Sequence, residues 1–473
     1  MKISATIILL LFAFLSIGQE VRVSEELSVR NDDDYRIIGK LNDEILLFKD
    51  KGDILKIFSY NQEMEMSWEK KINLESRRAR VLEVIPQKDH FTMVYRYFKR
   101  GKIYVRAMEF SPEADTMRSS TLISFVPRAT NALDLVVSND KSKIFLYDSD
   151  INSKIYATCF DLKTMENLWQ IQVKPIEFDF QRDFVQALVD NKGNGFLILE
   201  RDNKKAKRNT SRFEVLGYDI DLQQQRRYNI GMKGKLWLDV EFQVDNLNNR
   251  LVGAGLFSNK KYGETNGHFY LRINPQNPED YFIHFSDFDE KFVTSILGKE
   301  IKKEVGFGEV SVQELVLRRD GGLLMVAERN KKYTRRATSY NSFYNPDNAI
   351  GYQVDYHYND ILLISIHPNG DTHWKELLRK RQFSQDDRAR YSSYFLLKTR
   401  NSLRFLYNDE IKQDTNVNEY IVLGDGQSKR KNILNTDDDD IYLLFREGMQ
   451  LSSNELIVPS ERRGDLRLVK FIY

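Results

Sequence analysis

The chain has 473 residues, with 71 lysines and arginines against 69 aspartates and glutamates, and this balance argues against general nucleic-acid binding. A single cysteine, Cys159, excludes an internal disulfide framework, so burial of a large core must hold the fold. Aromatic residues make up 12 % and prolines number only 9, a composition suited to strands rather than linkers.

Met1–Gly18 reads as a secretory signal. Lys2 gives a positive start, Ile7–Leu15 is apolar, and Ser16-Ile17-Gly18 offers small residues for cleavage near Gly18. The apolar run is too short for a membrane span, and no cysteine follows it to carry a lipid. The expectation is a mature chain exported to the periplasm or cell surface, with residues 19–473 as one domain.

From Tyr35 onward, four short strand-like runs recur as a unit. The first unit, Tyr35–Leu74, reads YRIIGK, EILLF, LKIFSY and MSWEKKINL. Further units span Val81–Phe125, Ala132–Val173, Phe184–Ile230, Trp237–Phe285, Val312–Lys380 and Tyr391–Leu434. The last unit starts at Ile441 and supplies only three runs, IYLLF, ELIV and LRLVKFI. The missing fourth run is present at the other end, as VRVSEELSV from Val21 to Val29. Joining the two ends closes a ring and leaves no open sheet edge. The expected fold is all-β: a β-propeller of eight four-stranded blades closed by the N-terminal strand, with seven blades as the main alternative count. Phe288–Glu309 carries Phe292, Ile296 and Ile301 near helical spacing, with Gly298 interrupting. It reads as a short helix between units five and six, or as packing filler.

Three of the four tryptophans, Trp68, Trp169 and Trp374, open the same kind of strand after a tight turn. In the third unit Cys159, Asp161, Thr164, Met165 and Trp169 hold a fixed spacing. This pattern resembles the tryptophan-docking motif of quinoprotein-type eight-bladed propellers, in which an Ala, an Asp, a Thr-Gly pair and a Trp recur. Cys159 takes the Ala position and Met165 the Gly; in the sixth unit only Gly370 and Trp374 keep their offsets. In style the chain is most similar to non-enzymatic outer-membrane-assembly scaffold propellers and to exported propellers of Bacteroidetes-type bacteria. That resemblance implies a scaffold. No adjacent-cysteine pair or calcium-ligand set for a quinone is present in the sequence, so no cofactor is expected.

In such a ring the b–c loops and the d–a links share one end, and the a–b and c–d turns share the other. The a–b turns are short and rich in Gly, Asn and Asp, as in NKGNG at Asn191–Gly195. The b–c loops are longer: Arg201–Ser211, Phe257–Gly267 and Arg329–Asn359. Long loops on a rigid scaffold are where binding concentrates, so the b–c end is the expected working face. The candidate binding residues are Tyr333, Arg335, Arg336, Tyr340 and Tyr344 on the loop of unit six, with Lys204 and Lys205 on the basic loop of unit four at the same end. Tyr356 and Tyr358 are expected to extend strand c instead. The acidic runs Asn31–Asp34 and Asp437–Asp440 fall on neighbouring d–a links, either as solvated turns or as oxygen ligands for calcium.

The six histidines show no zinc spacing, and neither a Gly-x-Ser-x-Gly elbow nor a P-loop occurs. Carboxylates at the mouth of the ring, such as Asp386 and Asp387, are candidates for an acid and a base, although sequence does not show how they pair across blades. The first functional reading is an exported, non-catalytic scaffold that docks another envelope protein or a glycan. The alternative is a carbohydrate-active hydrolase or lyase, or a calcium-stabilised glycan-binding module. A buried carboxylate cluster with His or Tyr at the mouth favours the enzyme, whereas an exposed aromatic patch without such a cluster favours docking.

Overall fold

Neighbouring residues of one strand point to opposite faces, and here both faces are covered. Ile45 and Leu47 pack into the seam on one side of their strand, while Leu46 and Phe48 pack into the next seam. The runs are therefore apolar throughout rather than alternating, as sheets buried on two sides require. The computed structural model describes residues 20–30, 33–52, 54–76, 78–127, 133–201, 211–259, 264–299, 306–336, 352–409, 411, 416–436 and 441–473.

Eight antiparallel sheets result, each in the order a-b-c-d. Blade 1 comprises Asp34–Leu41, Glu44–Asp50, Leu55–Tyr60 and Met66–Ile72. Blades 2 to 7 follow in sequence, from Arg80–Pro86 to Ser428–Asn435. Blade 8 comprises Met449–Gln450, Glu455–Arg462 and Asp465–Ile472, and its outer strand is Glu20–Val23 from the other end of the chain. Val21 lies opposite Phe471, and Leu27 opposite Leu466. First strands of blades 1 to 6 touch in succession, which places strand a innermost.

Each of the eight seams between blades has its own apolar cluster. Phe91 and Tyr95 meet Phe48 in the seam of blades 1 and 2, and Phe213 meets Phe242 in that of blades 4 and 5. Burying one such ring is worth about 1.5–3 kcal/mol, so the ring is held mainly by what lies between its blades.

Two of the four tryptophans, Trp169 and Trp374, latch neighbouring blades. The Trp169 indole N–H donates to the Gly193 carbonyl of blade 4 at 2.7 Å, and its ring occupies the space above Gly195. A Cβ at Gly195 would lie 2.7 Å from that ring, so only glycine admits the contact. Trp374 donates in the same way to the Gly424 carbonyl of blade 7 at 3.0 Å. Asp161 caps the turn before Trp169 by accepting from the N–H groups of Lys163 (2.7 Å) and Thr164 (3.0 Å). Met165 holds the left-handed conformation there, with φ 59°.

Three expectations need correction. IYLLF is not strand a of blade 8. Leu443, Leu444 and Phe445 are buried in succession, and the chain turns through a short 3-10 helix, Phe445–Glu447, before the two-residue strand Met449–Gln450. Val21–Val29 is two strands, Glu20–Val23 and Leu27–Ser28, with Ser24 bonded to Leu468 between them. Gly298 does not interrupt the helical stretch. It is the left-handed C-cap (φ 68°) of a helix over Glu290–Leu297, whose N-cap Asp289 accepts from the Phe292 N–H.

Candidate functional site

Within the stretch expected to be a long loop, Arg329–Asn359, the described residues, 329–336 and 352–359, are strand. Strand b of blade 6 runs over Leu323–Arg336 and strand c over Tyr352–Ile366, paired out to Arg336 opposite Tyr352. A third strand, Gln382–Gln385, pairs along Asp355–Tyr358. The loop reading missed the period-2 alternation of polar and aromatic residues in YQVDYHY, which fits a paired arm. Opposite residues share a face, so Lys331, Tyr333, Arg335, His357 and Phe383 line one side of the arm. The Tyr333 and Phe383 rings flank His357 at 5.6 and 5.0 Å, and the Lys331 ammonium sits 4.1 Å above Tyr333. Arg335 pairs with Asp355 at 2.9 Å. Tyr333 is 45 % exposed and Phe383 39 %, enough to offer a contact surface. On the other side Tyr356 and Tyr358 extend strand c as expected, and Arg446 donates to the Tyr358 hydroxyl at 2.8 Å. Tyr340, Tyr344, Lys204 and Lys205 lie outside the described residues.

Beside the closure, at the same end of the ring, is a cavity of about 740 Å³. Four stretches wall it: the link into blade 1 (Arg30, Asp33, Asp34), the start of that blade's first strand (Tyr35, Arg36, Ile37), the link between blades 6 and 7 (Asp386–Arg388 and Arg390), and blade 8 (Glu447, Met449, Pro459, Glu461). Tyr35 donates its hydroxyl to Glu461 Oε2 at 2.8 Å. Arg390 forks onto both Glu461 oxygens at 3.0 and 2.6 Å, and Tyr391 donates to the Glu461 backbone carbonyl at 2.8 Å.

This arrangement drives the two glutamates apart. Burial raises the Glu461 carboxyl, but the Arg390 fork and the Tyr35 hydroxyl outweigh it and hold the group below the usual carboxylate range. Glu447 opens onto the cavity yet has protein around it. Burial lifts its carboxyl, the nearby charges of Glu461 and Asp34 add to this, and Arg390 and Tyr35 offset only part. Burial followed by the charges of Glu447 and Glu461 raises the Tyr35 phenol, which keeps it a hydrogen-bond donor. The two carboxyls beside the Tyr35 hydroxyl are thus shifted in opposite directions.

Asp386 and Asp387 do stand at this mouth, but one oxygen of each shapes the link. Asp386 accepts from the Val354 N–H at 2.8 Å; Asp387 accepts from Ser384 and from the Ala389 N–H, both at 2.8 Å. Asp386, Arg388 and Ala389 all have positive φ, 57°, 58° and 57°. Strain of this kind costs roughly 1–3 kcal/mol per residue, and the surroundings must impose it. Beneath the link a buried pair fixes it: Lys380 meets Glu328 at 2.6 Å, both without exposure, and Ser393 donates to Glu328 at 2.6 Å. Burial pushes the Lys380 ammonium down, against the opposing charge of Glu328.

Sequence reasoning missed Tyr35, Arg388, Arg390, Glu447 and Glu461. The available signal was the charge-dense link DDRAR, Asp386–Arg390, which falls on the face already marked for binding. Of the acidic runs, Asp33 pairs with Lys49 at 2.9 Å and Asp34 with Arg36 at 3.3 Å, while Asp32 and Asp437–Asp440 lie outside the described residues. Among the described residues no group of three or more His, Cys, Asp or Glu is placed to hold a metal ion. No helix among them is long and apolar enough to cross a membrane.

No family model matches the chain, and no curated protein matches it. Among solved structures it is similar to the Dos1 propeller, at 9 % identity and TM-score 0.42, covering 95 % of this chain and 94 % of that one. It is also similar to the polysaccharide lyase Uly1, at 8 % identity and TM-score 0.38, covering 83 % and 89 %. A third is the β-propeller domain of the Trilobed protease from Pyrococcus furiosus, at 8 % identity and TM-score 0.36, covering 88 % and 99 %.

Proposed function

We propose that this protein is an exported, non-catalytic propeller that serves as a protein-binding scaffold in a bacterial cell envelope. The observation that carries the reading is the blade 6 arm, whose side bearing Lys331, Tyr333, Arg335, His357 and Phe383 is paired into a three-stranded sheet before any partner arrives. Tyrosine and arginine on rigid backbone make contact area and hydrogen bonds with little ordering cost. The leader Met1–Gly18 supports export, and the Asp161–Trp169 spacing supports kinship with quinoprotein-like scaffold propellers. The test is crosslinking in the native envelope, identification of the partner, and reconstitution with purified protein. Tyr333→Ala with Phe383→Ala weakens the reconstituted complex at least tenfold if the arm docks; unchanged affinity removes the arm from the reading.

A second reading, a carbohydrate-active hydrolase or lyase, is favoured by the Tyr35, Glu447, Glu461 and Arg390 cluster at the mouth. Release of new saccharide ends from a polysaccharide panel, abolished by Glu447→Gln, supports it. Equal release by the variant rejects it.

A further inference from the structure

We infer that the mouth cavity is a binding site for an acidic oligosaccharide, a chain whose rings carry both hydroxyls and a carboxylate. The inference rests on which wall groups remain open to a ligand. Glu461 is taken up by Arg390 and Tyr35, Asp33 by Lys49, and Asp34 by Arg36. Among the described residues, the guanidiniums of Arg30 and Arg388 have no carboxylate partner, although both line the cavity and are exposed. A planar guanidinium binds a carboxylate through two parallel hydrogen bonds, so these two arginines select for that group.

The rest of the wall restricts the anion further. Glu447 and the second oxygens of Asp386 and Asp387 accept from hydroxyls and repel dense negative charge, which disfavours a polyphosphate. Ile37, Met449 and Pro459 add a small apolar surface for the C–H face of a ring. The volume falls within the roughly 300–1,000 Å³ of sites that hold extended organic ligands. Arg388 sits in the strained link pinned by the buried Lys380–Glu328 pair, so its backbone is set before the ligand arrives. The inference is independent of the docking arm, and it holds whether or not a bond in the ligand is cleaved.

The experiment titrates the full chain by calorimetry with defined uronate tetrasaccharides of glucuronate, galacturonate and mannuronate type. Each is compared with its carboxyl-reduced neutral form, and inositol hexakisphosphate is the polyphosphate probe. At least one uronate is expected to bind tenfold or more tightly than its reduced form and more tightly than the polyphosphate. Arg30→Gln and Arg388→Gln should each remove most of that preference while leaving the thermal midpoint unchanged. Equal binding of acidic and neutral forms, tighter binding of the polyphosphate, or no binding of any uronate at millimolar concentration overturns the inference. Recovery of an intact tetrasaccharide after binding rejects the enzyme reading and leaves the site standing.

Discussion

The Tyr35 hydroxyl and the Glu461 carboxylate meet at 2.8 Å across the seam where blade 1 joins blade 8. The ring's closure and the cluster at its mouth therefore share atoms. Glu461 also takes the Arg390 fork, so it ties the link between blades 6 and 7 to the same point. Tyr35→Phe removes one hydrogen bond and leaves the fork intact, and it should lower stability by about 1 kcal/mol. Glu461→Ala strips three donors of their acceptor and should lower it by more. Urea unfolding of the two variants checks the order; an equal or reversed effect would show that the hydroxyl does not tie the seam.

The opposed shifts of the two glutamates give the seam a pH dependence of known sign. The folded carboxyl of Glu461 lies below its unfolded value, so its contribution is present above the unfolded value and lost as pH falls through the folded one. The folded carboxyl of Glu447 lies above its unfolded value, so its contribution is present below the unfolded value and lost as pH rises through the folded one. Glu447→Gln removes a charge that is disfavoured only when ionised. The variant should thus unfold at higher urea than the parent at pH 7 and at the same urea at pH 4. A pH-independent difference would rule out the burial account of Glu447.

The blade count and the closure were legible in sequence because each rests on local apolar runs, and a unit with three runs needs a fourth. The mouth was not legible, because its cluster joins groups as distant as Tyr35 and Glu461, 426 positions apart. IYLLF misled because consecutive buried residues are equally compatible with a strand and with chain filling a seam. The arm misled in the opposite sense: Tyr333 and Arg335 were marked as binding residues of a long loop, and they stand on a paired strand instead.

Trp169 and Gly195 occupy the same space from two blades. Gly195→Ala puts a methyl group 2.7 Å from the indole and should lower stability by about 1–3 kcal/mol through overpacking. Trp169→Phe loses the N–H bond to Gly193 and opens room beside residue 195. The double variant should be less destabilised than the sum of the singles, since the smaller ring accepts the methyl group. Simple additivity in a thermal or urea cycle would show that the two residues do not compete for that space.

Lys380 and Glu328 are both fully buried, so removing one partner strands the other. Lys380→Met should lower stability by about 3–5 kcal/mol, whereas Lys380→Met with Glu328→Gln should recover much of the loss. Because the pair supports the link carrying Arg388 and Arg390, the single variant should also weaken uronate binding at the mouth. Chemical denaturation measures the first effect and calorimetry the second. Loss of stability with full retention of binding would detach the pair from the site.

Glu20–Val23 and Leu27–Ser28 cover the whole outer edge of Asp465–Ile472. Deleting residues 20–29 leaves that strand's N–H and C=O groups open along a run containing Leu468 and Phe471, both buried in the ring. An uncovered apolar edge pairs with the next copy, so the shortened protein should form concentration-dependent oligomers and unfold at lower temperature. A synthetic peptide spanning residues 20–29, added in excess, should restore both the monomer and the thermal midpoint, because it replaces the missing strand in register. Light scattering after size exclusion reads the first and calorimetry the second. A shortened chain that stays monomeric with an unchanged midpoint would mean that the eight seams hold the ring without its latch.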